Sequence, residues 1–333
     1  MPYQIDPDGS VDLGGQRVPV PTSVSPEARA YLAANPWGDM PVPEEPIPMW
    51  HLRDAMAPSF AALNEQASAL YDVDIREESI AGVRCHRIVP TGLDEEAAGR
   101  VLINLHGGGF VVGSGALVEA IPIAALVGCT VIAVDYRLAP EHPYPAAVAD
   151  VLAVYRACLD ITPAASMGIY GSSAGGFLTA QAIAHLQASG EPLPACAGIF
   201  SAGGNLYDFG DSRNIFTLSG FYGQPSLPLG HELSEVTVYL GDADPHDPRV
   251  SPERGDLSGF PPALLVSGTR DALLSATCNF HRALLRAGRE AELLVYDAMP
   301  HSFWYALELP ETRELLDLQA QFFNAHLAAA QRA

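Results

Sequence analysis

Residues 167–176 read Met167-Gly168-Ile169-Tyr170-Gly171-Ser172-Ser173-Ala174-Gly175-Gly176, and the helix-forming run Phe177–Ile183 follows. A short apolar stretch enters a glycine-bracketed serine and leaves it as a helix. That strand–turn–helix pattern is the pattern of a nucleophile elbow. A serine hydroxyl is a weak nucleophile, so the fold must present it on a sharp turn within reach of a base. The flanking glycines let the chain turn without a Cβ clash. The register puts Ser173, not Ser172, at the turn. Taken alone, a Gly-x-Ser-x-Gly match is a weak signal, because small residues often fall this way in helix-start loops. Its weight comes from the segments around it.

The first of these is His106-Gly107-Gly108-Gly109, at the end of the apolar run Val101–Leu105. Acyl transfer builds negative charge on a carbonyl oxygen, and each backbone N–H pre-aimed at that oxygen can lower the barrier by roughly 3 kcal/mol. Glycine suits the job because the backbone itself must approach the substrate. Gly108 and Gly109 are the expected donors, with Ala174 as a third. A phosphate-binding loop is the alternative. It would need a Lys-Ser/Thr ending or dinucleotide spacing, and neither is present.

An acid and a histidine must follow along the chain. Val266-Ser267-Gly268-Thr269-Arg270-Asp271 reads as a strand ending in a carboxylate. Met299-Pro300-His301-Ser302-Phe303 follows the strand-like Leu293–Tyr296. Both lie after strand C-termini, where open α/β sheets carry their chemistry. His301 is the expected general base and acid, and Asp271 its orienting carboxylate. Asp297, four residues before His301, is the rival acid. The run Asp242-Ala243-Asp244-Pro245-His246-Asp247 resembles a metal cluster, but its prolines and short spacing suit a turn. His51, His86, His142, His185, His231, His281 and His326 are scattered and read as surface or packing residues. No metal and no organic cofactor is expected.

Beyond residue 70, apolar strands alternate with helical runs. An antiparallel hairpin is expected over 72–80 and 83–89. Strands then follow at 101–105, 131–135, 167–170, 196–200, 263–266 and 292–296. Helices are expected near 116–128, 145–159, 174–188, 274–288 and 311–330. Such alternation implies an α/β fold whose mostly parallel central sheet is covered by helices on both faces. Residues 1–70, rich in proline and acid before an amphipathic stretch at 51–70, are expected to form an N-terminal cap. Residues 71–333 then form the catalytic domain. Residues 204–235 break the rhythm, and a loop that long in a compact domain is usually a lid or binding element. A second cap is expected there. Its Leu206, Phe216, Phe221 and Tyr222, with Phe303 and Trp304, are the expected substrate-contacting side chains.

Net charge is −21, and all 18 cationic side chains are arginine. So acidic a chain disfavours nucleic acid and anionic membrane surfaces. Five cysteines, odd in number and widely spaced, do not form a disulfide framework; the reducing cytosol is the expected compartment. Met1–Ser10 is too polar for a signal peptide. Residues 101–136 are apolar, but His106, Glu119, Pro122 and the glycines argue against a membrane span.

With these residues in place, the chain resembles the bacterial hormone-sensitive-lipase-like branch of the α/β hydrolases. The resemblance rests on His106–Gly109, on Asp135–Ala146 (Asp-Tyr-Arg-Leu-Ala-Pro-Glu-His-Pro-Tyr-Pro-Ala), on Gly171–Gly176 and on the Asp271 and His301 segments. In the Asp135–Ala146 block, Arg137 and Glu141 are expected to brace the loops around the site. One position departs from the pattern. Where the family has aspartate or threonine before the nucleophile, this chain has Ser172, which can hydrogen-bond but carries no charge. The resemblance implies an α/β-hydrolase fold and a serine carboxylic-ester hydrolase acting on short to medium acyl esters through an acyl-enzyme. It also implies a small-molecule ester partner and a possible homodimer. A lactonase, amidase or carbamate hydrolase with the same triad is the alternative within the class. A non-catalytic small-molecule receptor is the alternative outside it, but such proteins typically lose the histidine.

Overall fold

Strands buried on both faces of a sheet read as unbroken apolar runs. Val101–Leu105, Thr130–Val134 and Cys196–Phe200 are such runs, buried at every residue. The computed structural model describes residues 4–8, 10–12, 17–34, 48–93, 99–217, 220–221 and 235–328. Its main sheet has eight strands. In chain order they are β1 Val73–Ile80, β2 Val83–Pro90, β3 Val101–Leu105, β4 Thr130–Val134, β5 Met167–Ser172, β6 Cys196–Phe200, β7 Ala263–Gly268 and β8 Ala291–Tyr296. Across the sheet they lie in the order β8-β7-β6-β5-β3-β4-β2-β1. The β1–β2 and β2–β4 pairs are antiparallel. The remaining pairs are parallel.

The helices are α1 Pro26–Ala34, α2 Arg53–Leu70, α3 Ala120–Val127, α4 Ala146–Leu159, α5 Ala174–Ala188, α6 Glu235–Leu240, α7 Leu274–Arg286 and α8 Pro310–His326. Successive strand residues point to opposite faces, and the core divides accordingly. Ile103, Ile132, Ile169 and Leu265 pack with α4, α5 and α7. Leu102, Val131, Tyr170 and Leu264 pack with α3 and α8 on the other face. The result is an α/β-hydrolase architecture. From β3 the chain steps to β4 on one side, then returns to β5 on the other. That reversal is a topological switch point, where ligands bind beyond strand C-termini.

The strand and helix bounds differ from expectation mainly at ends. The helix expected from 116 begins at Ala120. Gly113 and Gly115 hold positive φ, and Ala116 N–H and Ala120 N–H close turns onto Gly113 and Leu117. The helix expected to reach 288 stops at Arg286, with Gly288 at φ +71°. The small sheet Gln4–Ile5, Val11–Asp12, Arg17–Val18 was not expected; its two-residue strands carry no readable periodicity.

The five cysteines are free, and all but Cys278 are buried. Burial pushes the thiols of Cys85, Cys129 and Cys196 up to about 12 and that of Cys158 to about 11. At pH 8 such thiols are thiolate in only ~1 molecule in 10,000 at a pKa near 12, and in ~1 in 1,000 at a pKa near 11. A thiol reagent at pH 8 should therefore modify Cys278 first, and the other four only as the protein unfolds. Mass spectrometry of the labelled peptides reads the order; rapid native labelling of Cys129 or Cys196 would contradict this packing.

Candidate active site

Ser173 lies between β5 and α5 at φ +53°, ψ −122°. A non-glycine residue at positive φ is strained, and such strain persists only where neighbours hold it. Here Ser173 N–H donates to Phe200 O (2.8 Å), while Ser173 O accepts from Gly176 N–H (3.0 Å) and Phe177 N–H (3.1 Å). The elbow also sits hard against the end of β3. A Cβ at Gly171 or Gly175 would overlap the Leu105 carbonyl oxygen, and one at Gly176 would lie 2.5 Å from Ala202 Cβ. Gly175→Ala should therefore lose about 3 kcal/mol or more of stability, as over-packing against backbone cannot be relieved by a rotamer change. Urea unfolding of the purified variant measures it; an unchanged midpoint would mean that the backbone gives way easily.

The glycine loop after β3 faces this elbow. A Cβ on Gly107 would lie 3.2 Å from Ser172 Oγ and 3.5 Å from Ser173 Cβ. Gly108 (φ +117°) and Gly109 (φ +60°) take conformations that glycine favours. Gly108 O accepts from Val111 N–H and Val112 N–H, both 3.0 Å. No hydrogen bond among the described residues uses the N–H of Gly108 or Gly109. Ala174 opens α5, where the first N–H groups have no intrahelical acceptor. His106 does not face outward. It is buried and stacked on Tyr136 (4.2 Å between ring centroids), with its Nδ1 2.7 Å from Gly107 O. Burial lowers its pKa, so the neutral ring serves as a structural prop.

Asp271 follows β7 and is fully buried. Its Oδ1 accepts from Leu273 N–H (2.9 Å) and lies 2.9 Å from His301 Nδ1. A carboxylate only accepts, so this ring nitrogen donates its N–H to Asp271 and Nε2 is turned away from the carboxylate. Oδ2 accepts from Ser267 Oγ (2.9 Å) and from Ser201 Oγ. Burial alone would raise the Asp271 pKa; the charge and hydrogen bond of His301, with Ser201 and Leu273, outweigh it and hold the carboxyl below its ordinary range. The His301 loop is set by Ala298 and Ser302, both at positive φ. Arg270 N–H donates to Met299 O (3.1 Å), tying that loop to the Asp271 turn.

Asp297, the rival acid, is occupied elsewhere. Its Oδ2 accepts from Ser23 Oγ (2.7 Å) and its Oδ1 lies 3.3 Å from Thr269 Oγ1. In the 242–247 run, Asp244 accepts from His246 N–H and Asp247 pairs with Arg249. These carboxylates cap their own turns. Arg137 forks onto Asp150, and Glu141 pairs with Arg53 of α2. Arg53 also donates to Val111 O and Ala139 O (each 2.5 Å), so residues of the N-terminal segment grip the glycine loop.

The substrate-contact expectations fare differently. Phe303 is wholly buried, Trp304 is 3% exposed and Leu206 is 3% exposed; all three are core residues. Trp304 packs edge-on against Phe200 and Phe303. The reason is the sharp turn at Ser302, which sends the following residues inward under the sheet. Phe216 is partly buried, its strand paired with that of Phe221. Tyr222 and the side chain of Phe221 lie outside what the structure describes. Sequence reading missed Ser201 and Ser267, the hydroxyls beneath Asp271. Their signal was available, since both stand at the C-terminal ends of neighbouring apolar strands, β6 and β7.

A family profile of the α/β-hydrolase fold matches residues 102–305. The chain belongs to that family. Its relatives include an acetyl-hydrolase of Streptomyces hygroscopicus, 34% identical over 68% of this chain and 76% of the relative. An esterase of Acinetobacter venetianus is 31% identical over 75% of this chain and 82% of the relative. Among solved structures, esterase E25 superposes with TM-score 0.82 at 30% identity, covering 95% of this chain and 99% of that one. An esterase of the bacterial hormone-sensitive lipase family gives TM-score 0.69 at 28% identity, over 85% and 99% of the two chains. The chain is thus an enzyme of the esterase class, with hormone-sensitive-lipase-like esterases as structural neighbours. Among the described residues, no helix is long and apolar enough to cross a membrane.

Proposed function

We propose that this enzyme hydrolyses carboxylic esters of short to medium acyl chains through an acyl-enzyme on Ser173. The observation that carries the reading is the buried Asp271–His301 pair at 2.9 Å, alongside a serine held at positive φ on the β5–α5 turn. In the proposed reaction, Ser173 Oγ attacks the ester carbonyl carbon while His301 Nε2 takes the hydroxyl proton. The carbonyl oxygen becomes an oxyanion, received by the N–H groups of Gly108, Gly109 and Ala174. His301 then gives its proton to the departing alkoxide, and the C–O bond to the alcohol breaks. Water repeats the sequence: His301 takes its proton as the hydroxide adds to the acyl carbon, then returns it to Ser173 Oγ as the acyl C–O bond breaks and the acid leaves. Asp271 keeps Nδ1–H in place and stabilises the imidazolium in both halves.

Short chains are favoured by the proposed caps. In the N-terminal one, Asn64 of α2 donates to Gly115 O (2.8 Å) and accepts from Leu117 N–H (2.7 Å). Together with Arg53, these contacts tie α2 to the segments that follow the glycine loop, which supports the reading of a cap that limits the depth of the pocket. The name of the Streptomyces relative points to a small acyl group as well. Each methylene that fits should add up to about 0.8 kcal/mol of binding, and each beyond the end should add nothing or clash. We expect kcat/KM for p-nitrophenyl esters to peak at short to medium chains and fall steeply beyond, with no activation by emulsified substrate. A rate still rising at palmitate would replace the bounded pocket with an open lipase surface.

A further inference from the structure

Behind the nucleophile, a carboxyl stands in an apolar wall. Glu119 immediately precedes α3, whose Ala120, Ile121, Pro122, Ile123 and Ala124 are all buried, and is itself 6% exposed. The Glu119 side chain makes no cap bond to the helix it precedes. Its Oε1 instead accepts from Trp304 Nε1 at 2.6 Å. Its Oε2 and the Nδ2 of Asn104 are both buried without a hydrogen-bond partner, although the Asn104 and Ser172 side chains lie near enough to favour the charged carboxyl. Burial nevertheless raises its pKa overall. Keeping such a group in the core is costly unless its polar contacts are used.

The contacts join three loops. Ser172 belongs to the elbow, and its Oγ lies 3.4 Å from Tyr305 Oη. The backbone of Gly107, in the glycine loop, lies near enough to Tyr305 Oη to favour its ionised form. Trp304 and Tyr305 follow His301 on one short segment. No step of the proposed reaction uses Glu119.

We propose that Glu119 is a positioning residue, whose carboxyl anchors Trp304 and thereby holds the His301 segment in register with the elbow and the glycine loop. The proposal rests on the ester-hydrolase reading above. It is tested with purified wild type, Glu119→Gln, Glu119→Ala, Trp304→Phe and the double variant Glu119→Ala/Trp304→Phe, using p-nitrophenyl butyrate and a fluorophosphonate probe. Because small misplacements of catalytic groups cost rate, Glu119→Ala should lower kcat about tenfold or more with KM changed less than about threefold. Glu119→Gln keeps an acceptor for the indole N–H and should stay within about threefold of wild type. Trp304→Phe removes the donor and should resemble Glu119→Ala, and the double variant should be no worse than either single one. Fluorophosphonate labelling rates should follow the same ranking. Multiplying losses, a Gln variant as poor as Ala, or a loss expressed in KM would each overturn the proposal. If Glu119→Ala does not fold, an unimpaired Trp304→Phe still overturns it. An inert wild type would instead sink the ester-hydrolase reading itself, whereas failure of the anchor alone leaves an active wild type with variants equal to it.

Discussion

Ser173→Ala is expected to lower kcat for ester hydrolysis by roughly a thousandfold to a millionfold while the protein stays folded. The residual rate would come from binding and the oxyanion donors alone. Ser173 is the one hydroxyl that the elbow leaves partly exposed; Ser172, one residue earlier, is wholly buried. Ser172→Ala removes a contact with Tyr305 but no attacking group, so it should keep activity within about tenfold of wild type. Covalent labelling by a fluorophosphonate followed by mass spectrometry checks both. The label should map to Ser173 and vanish in Ser173→Ala. A dead Ser172 variant beside an active Ser173 variant would move the nucleophile by one residue.

The second large effect is expected at Asp271, and the surroundings of that carboxyl set its size. From the motif alone, asparagine should turn the imidazole to the wrong tautomer and cost on the order of ten-thousandfold. The backbone N–H of Leu273 argues otherwise. It is a fixed donor to Oδ1, the same atom that faces His301. An asparagine must therefore keep its carbonyl oxygen on that side. Its NH2 then faces Ser201 and Ser267, whose hydroxyls can rotate to accept. The tautomer survives and only the charge is lost. Two charges about 4 Å apart at an effective dielectric near 20 interact by about 4 kcal/mol, or roughly a thousandfold. Asp271→Asn should thus lose about a hundredfold to a thousandfold in kcat, with normal circular dichroism. Ser201→Ala/Ser267→Ala on that background leaves the amide NH2 unpaired and should deepen the loss. Asp297→Asn, which breaks only contacts to Ser23 and Thr269, should stay within about threefold. If the two acids rank the other way, Asp297 takes the role.

Much of this was legible in the sequence because it depends on local pattern. The apolar runs 101–105 and 196–200 are strands with those bounds, and 174–188 is a helix with those bounds. Steric demand makes them so: a parallel strand covered on both faces must be apolar throughout, and a sharp strand-to-helix turn beside another backbone must be glycine-rich. The order of Ser173, Asp271 and His301 at strand ends likewise followed from the alternation of strands and helices, which implies where the C-terminal edge lies.

The tertiary structure alone decided which way side chains point from irregular loops and what lies beneath the reacting groups. Phe303 and Trp304 read as ligand-facing aromatics because they adjoin His301, yet one residue at positive φ, Ser302, turns them into the core. Ser201 and Ser267 meet at Asp271, and Glu119 meets Trp304 across 185 positions of chain. Local periodicity reports burial along one element; it carries no information about which distant element supplies the partner. Those partners are set by strand order and loop conformation, and in this chain they determine which acid is paired, which tautomer it holds and where the buried carboxyl is anchored.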